Sequence, residues 1–264
     1  MVSIPAAQRR ALEERGFVVI PDALEPGLLA RLRTAHEGVC AGEKAAGRLA
    51  ADGSLHALGA LDRGEAFLEL LDLPAVLPLV REVLGWNIYA YHSHVDAHPA
   101  SENGTSPVWR WHQDGGRQNV ELESEPRPRL SLKAGYFLTD VLEPGAGALR
   151  VLPGSHVRNA IPRPEAPALG FEEPEGAEPV LVPAGGAVVF DRRLWHARGE
   201  NRSGPTRRAV FVAYTYRWIR PRESPVLPAR VLDRLSPVRR QLLGIAASEL
   251  GHWLPTEGDV PLRG

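Results

Sequence analysis

Between Trp86 and Trp218 the chain advances through short β-favouring runs, "NIYAYHSHV", "RLSLKAGYFLTDV", "ALRVLPGSH", "AVVFDRRLWH" and "RRAVFVAYTYRW", separated by Pro- and Gly-rich turns. Val, Ile, Tyr and Phe in runs of this length favour strands, and the intervening Pro and Gly set turns. Many short strands in succession predict a mainly β domain, a sandwich or small barrel, over residues 86–220.

The flanks read differently. Over 6–15 and 26–47 apolar residues recur at spacings of three and four among Ala, Glu and Arg, which predicts two helices around the short β-like run "GFVVIPD". A third helical stretch, 64–84, contains Pro74 and Pro78, which should divide it. After residue 221 the segment "PARVLDRLSPVRRQLLGIAASEL" predicts one or two helices and a polar tail, fit either to cover the barrel or to form a dimer surface. No linker or repeat separates the zones, so the 264 residues, 44% of them apolar, are expected to form one domain: 1–85 helical with a strand, 86–220 the β core, 221–264 a helical extension.

Charge and cysteine content narrow the chemistry. A net charge of −1 with both signs interspersed offers no basic stripe for nucleic acid or an anionic membrane surface. Cys40 is the only cysteine, so an internal disulfide and cysteine-based zinc or iron–sulfur sites are excluded, and a metal must be held by His and carboxylate. The first twenty residues lack a signal-peptide pattern and no apolar run reaches spanning length, so the expectation is a soluble, cytoplasmic protein, a monomer or homodimer acting on a small molecule. The sequons at Asn103 and Asn201 would then meet no glycosylation machinery.

Nine histidines supply the candidate ligands. His36, His56 and His252 fall outside the β zone and are set aside. In "HSHVDAH", His92, His94, Asp96 and His98 alternate onto one strand face, but they fan out at about 3.3 Å per residue, which makes a closed coordination shell hard to build. "WRWHQDGGRQN" is more promising. A strand ending at His112 and a turn at Gly115-Gly116 would let Asp114 curl back toward the imidazole, and His196, at another strand end, offers a third ligand. Two histidines and one carboxylate leave three positions of an octahedral iron open, the arrangement of non-haem Fe(II) oxygenases. Arg207, eleven residues after His196, is suited to pair with the far carboxylate of a diacid whose near end chelates the metal.

His112-x-Asp114, "GALRVLPGSH" at 147–156, and His196 followed by Arg207 together resemble the phytanoyl-CoA dioxygenase family of Fe(II)/2-oxoglutarate oxygenases. The likeness runs from "ERGFVVIPDAL" to Trp218 and implies a double-stranded β-helix, a jelly-roll, cupin-like core. It implies Fe(II), 2-oxoglutarate and O2 as cofactor and cosubstrates, His112, Asp114 and His196 as metal ligands, Arg207 on the C5 carboxylate, and Tyr136 facing the cosubstrate. Where the family commonly has Gly-Ser after the distal histidine, this chain has Ala197 and Arg198, so Thr215 or Tyr136 is considered for the hydroxyl contact. Arg208 is a rival anchor, but strand alternation groups Arg207 with Ala209, Phe211 and Ala213, a small-residue face that leaves room for a ligand, and Arg208 with Val210 and Val212.

Substrate contacts are expected from Arg110, on the face of His112, and from Arg117 and Gln118 in the polar segment 115–129, a lid or a solvated loop. Trp109 and Trp111 are read as packing residues, and "LPGSH" as a turn in which Ser155 bonds locally and His156 is structural. The resemblance implies oxidation of an unactivated C–H bond, most simply hydroxylation, with release of succinate and CO2, on a secondary-metabolite intermediate. Because Asp114 is a carboxylate, where related halogenases have Gly or Ala, halogenation is disfavoured. The competing readings are a cupin-like isomerase or hydrolase that does not use 2-oxoglutarate, and a catalytically silent binding protein.

Overall fold

The computed structural model describes residues 5–101, 110–163 and 173–264. Helix α1 (Ala6–Arg15), strand β1 (Phe17–Ile20) and helix α2 (Pro26–Ala45) open the chain as the periodicity predicts. Strand β2 (Leu55–Leu58) follows, then α3 (Glu65–Leu68), a 3-10 turn at Glu69–Asp72 and α4 (Leu77–Leu84). The 64–84 stretch is thus divided as expected. Pro78 sits in the first turn of α4, where its missing N–H costs nothing.

The β zone contains β3 (Ile88–His98), a short helix α5 (Gln118–Glu121), β4 (Ser131–Phe137), β5 (Leu149–Val151), β6 (Glu178–Val180), β7 (Ala187–Asp191), β8 (His196–Arg198) and β9 (Arg207–Tyr216). They form a six-stranded antiparallel sheet in the order β1-β7-β4-β9-β3-β2, and a three-stranded sheet, β6-β5-β8. Strands β2 and β6 were not foreseen. Each has only three or four residues and exists through its pairing partner, β3 and β5 respectively.

Alternation sorts the side chains of the large sheet onto two cores. Leu132, Ala134 and Tyr136 of β4 and Val210, Val212 and Tyr214 of β9 join Leu12, Leu32 and Phe67 in the core shared with the helices. Phe137, Phe190, Ala209 and Phe211 pack with Ala148, Val151 and Val180 between the two sheets. Gly135 permits this closeness, since a Cβ there would lie 2.5 Å from the Phe211 ring. The phase predicted for β9 holds: Arg207 is buried beneath the sheet, while Arg208 reaches Glu37 of α2 at 2.6 Å.

The last segment folds into α6 (Ala229–Leu232), α7 (Pro237–Leu242) and three 3-10 turns. It packs against the start of β3 and the end of β9: Gln241 donates to the carbonyls of Trp86 and Ile88, and the buried Arg217 donates to the Gly251 carbonyl. Among the described residues no helix is long and apolar enough to cross a membrane.

Candidate metal centre

His112 does not end a described strand. It is joined to His196 by an isolated antiparallel bridge in which each N–H donates to the other's carbonyl at 3.0 Å. The bridge brings the imidazole centroids within 4.3 Å. Each Nδ1 lies 2.8 Å from the carbonyl two residues earlier, Arg110 for His112 and Leu194 for His196. With Nδ1–H donated in this way, Nε2 keeps its lone pair for a metal.

Asp114 closes the set. Its N–H donates to the Arg192 carbonyl at 2.8 Å, and Gly115, at φ +127°, turns the chain away behind it. One ligand atom from each of His112, Asp114 and His196 lies within 4.8 Å of the others, the convergence expected from the sequence. Arg192 staples the turn: its Nη1 donates to the Asp114 carbonyl, Gln118 Oε1 and Asn119 Oδ1 at 3.0–3.1 Å.

The electrostatics favour the ligating forms. Burial alone would raise the Asp114 carboxyl, but the Lys133 ammonium, 2.7 Å from Oδ2, and the two imidazoles outweigh it and hold the group well below the usual carboxylate range. Burial and the neighbouring His112 push His196 down to about 3. At neutral pH His196 is therefore neutral and Asp114 ionised.

These residues open onto a cavity of about 640 Å³ between the sheets, which Arg110 and Arg207 also line. Arg207 is 5% exposed. Its Nη2 reaches Asp96 Oδ2 at only 3.4 Å, and its Nε has no partner among the described residues. Four other expected contacts lie elsewhere. Tyr136 points to the helix side of β4 and donates to the Leu70 carbonyl at 3.1 Å, so it does not face the cavity. Thr215 donates to the Leu130 carbonyl at 2.6 Å and does not line the cavity. Neither supplies the hydroxyl contact. Arg117 is exposed and pairs with Glu121, and Gln118 is taken up by Arg192, so of the segment 115–129 only Gly115 and Gly116 line the cavity.

Several cavity residues were missed. Lys133 precedes Tyr136 by three positions and occupies the opposite face of β4. Arg198 lines the cavity two residues after His196, and Arg222 enters from the C-terminal segment. His56, set aside from the sequence, pairs with β3 through β2 and lies 2.8 Å from Asp96 Oδ1, so His56, His94 and Asp96 form a second convergent group. His92 is held by Glu223 at 2.5 Å. His156 has the expected structural role, bonding the Glu13 carbonyl at 3.1 Å, while the Ser155 hydroxyl, expected to bond locally, accepts from the distant Trp195 N–H because the turn packs against the start of β8. Trp111 is buried as expected; Trp109 and the Asn103 sequon lie outside the described residues.

Comparison with known proteins agrees with this architecture. The model of the family described as phytanoyl-CoA dioxygenase (PhyH) matches residues 12–209. The uncharacterized protein Rv1501 of Mycobacterium tuberculosis is 30% identical over 214 residues, covering 78% of this chain and 73% of that protein. L-proline trans-4-hydroxylase of Streptomyces griseoviridis is 26% identical, covering 81% and 86%. Among solved structures, EctD from S. alaskensis with bound Fe superposes with a TM-score of 0.63 at 21% identity, covering 84% and 80% of the two chains. The epimerase SnoN, in complex with Fe3+, alpha ketoglutarate and nogalamycin RO, gives 0.60 at 18%, covering 81% and 85%. These structural likenesses identify the fold as a double-stranded β-helix. With three quarters of its length matched by the family model, the chain belongs to the phytanoyl-CoA dioxygenase family.

Proposed function

We propose that the protein is an Fe(II)- and 2-oxoglutarate-dependent oxygenase that hydroxylates an unactivated C–H bond of a small natural-product intermediate. One observation carries this reading: two imidazoles with free Nε2 atoms and one carboxylate converge on a cavity that also holds a buried, incompletely paired arginine. The donor set fits a ferrous ion, because His112, Asp114 and His196 would hold it through three ligand atoms and leave the rest to exogenous ligands. The Arg207 guanidinium fits the distal carboxylate of a diacid, since its Nε, unpartnered among the described residues, and its weakly held Nη2 present two donors to a carboxylate.

When bound, iron with 2-oxoglutarate and O2 would supply an oxidant for C–H bonds, one oxygen atom of O2 going to the substrate and the other to succinate as CO2 is released. The chain's own residues orient and shield. His112 and His196 are fixed as Nδ1–H tautomers by their backbone acceptors, Arg207 would set the direction of the diacid, and Phe190, Phe211 and Leu149 give the cavity an apolar wall. Lys133 keeps Asp114 ionised for its metal.

Hydroxylation is supported by the likeness to L-proline trans-4-hydroxylase, and a natural-product substrate by the likeness to SnoN, described as coming from nogalamycin biosynthesis. The test is release of labelled CO2 from 1-[14C]-2-oxoglutarate in the presence of Fe(II), ascorbate and air. The wild type is expected to release it and Asp114→Ala to lose at least nine tenths of the rate; equal release by both would refute the reading.

A further inference from the structure

The cavity holds more positive charge than its own carboxylates and one diacid can balance. Asp114 is engaged by Lys133 at 2.7 Å, and Asp96 by His56 at 2.8 Å and Arg207 at 3.4 Å. Arg110 and Arg198 also line the cavity, both only partly exposed, and neither guanidinium has an ion-pair or hydrogen-bond partner among the described residues. The antiparallel sense of the His112–His196 bridge sets them on the same side of it, Arg110 two residues before one imidazole and Arg198 two residues after the other. Arg207 lines the same cavity, and it and Arg110 act on Arg198 more strongly than the opposing Asp96 and Asp52 do. Like charges placed together across neighbouring segments repel. An anion placed between the two forks would relieve that repulsion.

Resting on the oxygenase reading above, in which the metal takes one end of 2-oxoglutarate and Arg207 the other, we propose that Arg110 and Arg198 form a separate oxyanion site that holds an acid group of the substrate. The substrate class is then an organic acid, carboxylate or phosphate, whose reacting carbon lies toward the imidazoles. Two planar forks beside the metal ligands fix both the direction and the reach of such a molecule. A neutral analogue would leave both guanidiniums unpaired.

Anaerobic calorimetric titration of the full chain, saturated with Fe(II) and 2-oxoglutarate, tests this with benzoate, phenyl phosphate and benzamide as probes. At least one anion is expected to bind, and benzamide is not. Affinity for the anion should fall at least tenfold in Arg110→Gln and in Arg198→Gln, and recover in part in Arg110→Lys and Arg198→Lys, while the 2-oxoglutarate affinity of both glutamine variants stays within about twofold of wild type. Tighter phenyl phosphate identifies a phosphoryl-bearing substrate and tighter benzoate a carboxylic acid; either supports the site. Anion binding that is absent, or undiminished in both variants, overturns it. So does a tenfold loss of 2-oxoglutarate affinity in Arg198→Gln with no effect in Arg110→Gln, which would make Arg198 a second anchor for the cosubstrate. If wild type binds no Fe(II) and 2-oxoglutarate together, the oxygenase reading fails by itself. The same anion titration of the metal-free protein then decides the oxyanion site: dependence on Arg110 and Arg198 supports it, and indifference overturns it.

Discussion

The guanidinium of Arg192 stands where a side chain at position 115 would have to go: a Cβ on Gly115 would come within 2.1 Å of its Nη1. Gly115 also holds φ at +127°, so an L-residue there is strained whatever the space. Gly115→Ala is expected to cost about 2–3 kcal/mol of stability, and to weaken Fe(II) binding at least tenfold because the turn that aims Asp114 is displaced. Urea unfolding and an Fe(II) titration read the two effects.

Arg207 and Arg208 are adjacent yet face opposite sides of β9. Arg207→Gln should weaken 2-oxoglutarate binding by about 1.5–3 kcal/mol, the range for a charged hydrogen-bonded contact. Arg208→Gln loses only a partly exposed pair with Glu37, worth about 1 kcal/mol or less, and should leave 2-oxoglutarate affinity within twofold. Equal effects in a binding titration would reverse the assignment of the anchor.

Tyr136 belongs to the helix-side core. Tyr136→Phe is expected to lower unfolding free energy by about 1 kcal/mol through loss of the bond to the Leu70 carbonyl. Its 2-oxoglutarate titration should overlay that of wild type.

Acid should destabilise the metal-free protein well before the ordinary carboxylates titrate. Burial and His112 lower His196 to about 3, and burial with Arg198 and Arg207 lowers His98 to about 4. Both lie below the usual histidine value of about 6.5, so the unfolded chain binds more protons as pH falls. The stability linked to these groups is complete above about pH 6.5 and declines as pH drops toward 4 and then 3. The urea midpoint of metal-free protein should therefore fall steadily from pH 7 to pH 4; a flat profile over that interval would contradict the burial of these rings.

The metal set was legible because its signal is local: His112 and Asp114 share one turn with two glycines, and His196 ends the β-favouring segment "AVVFDRRLWH". The phase of β9 was legible too, since small Ala209 and Ala213 contrast with Val210 and Val212. The phase of β4 was not. Leu132, Ala134 and Tyr136 on one face and Lys133, Gly135 and Phe137 on the other all sit in a sheet buried on both sides, and burial on both faces erases the apolar–polar alternation from which phase is read. His56 was missed because the four-residue β2 carries no periodic signal and owes its place to pairing with β3. In "DRRLWH" the buried staple Arg192 looks the same as any charged turn residue. Its role depends on a loop nearly eighty positions earlier in the chain.

Anaerobic titration of the purified chain with Fe(II) in saturating 2-oxoglutarate, followed in visible absorbance, tests the metal centre itself. A weak charge-transfer band is expected that saturates at one iron per chain, is lost in His196→Ala, and needs more 2-oxoglutarate in Arg207→Gln. A wild-type protein without the band, or a His196→Ala variant that keeps it unchanged, would contradict the convergence of His112, Asp114 and His196 on a single ferrous ion.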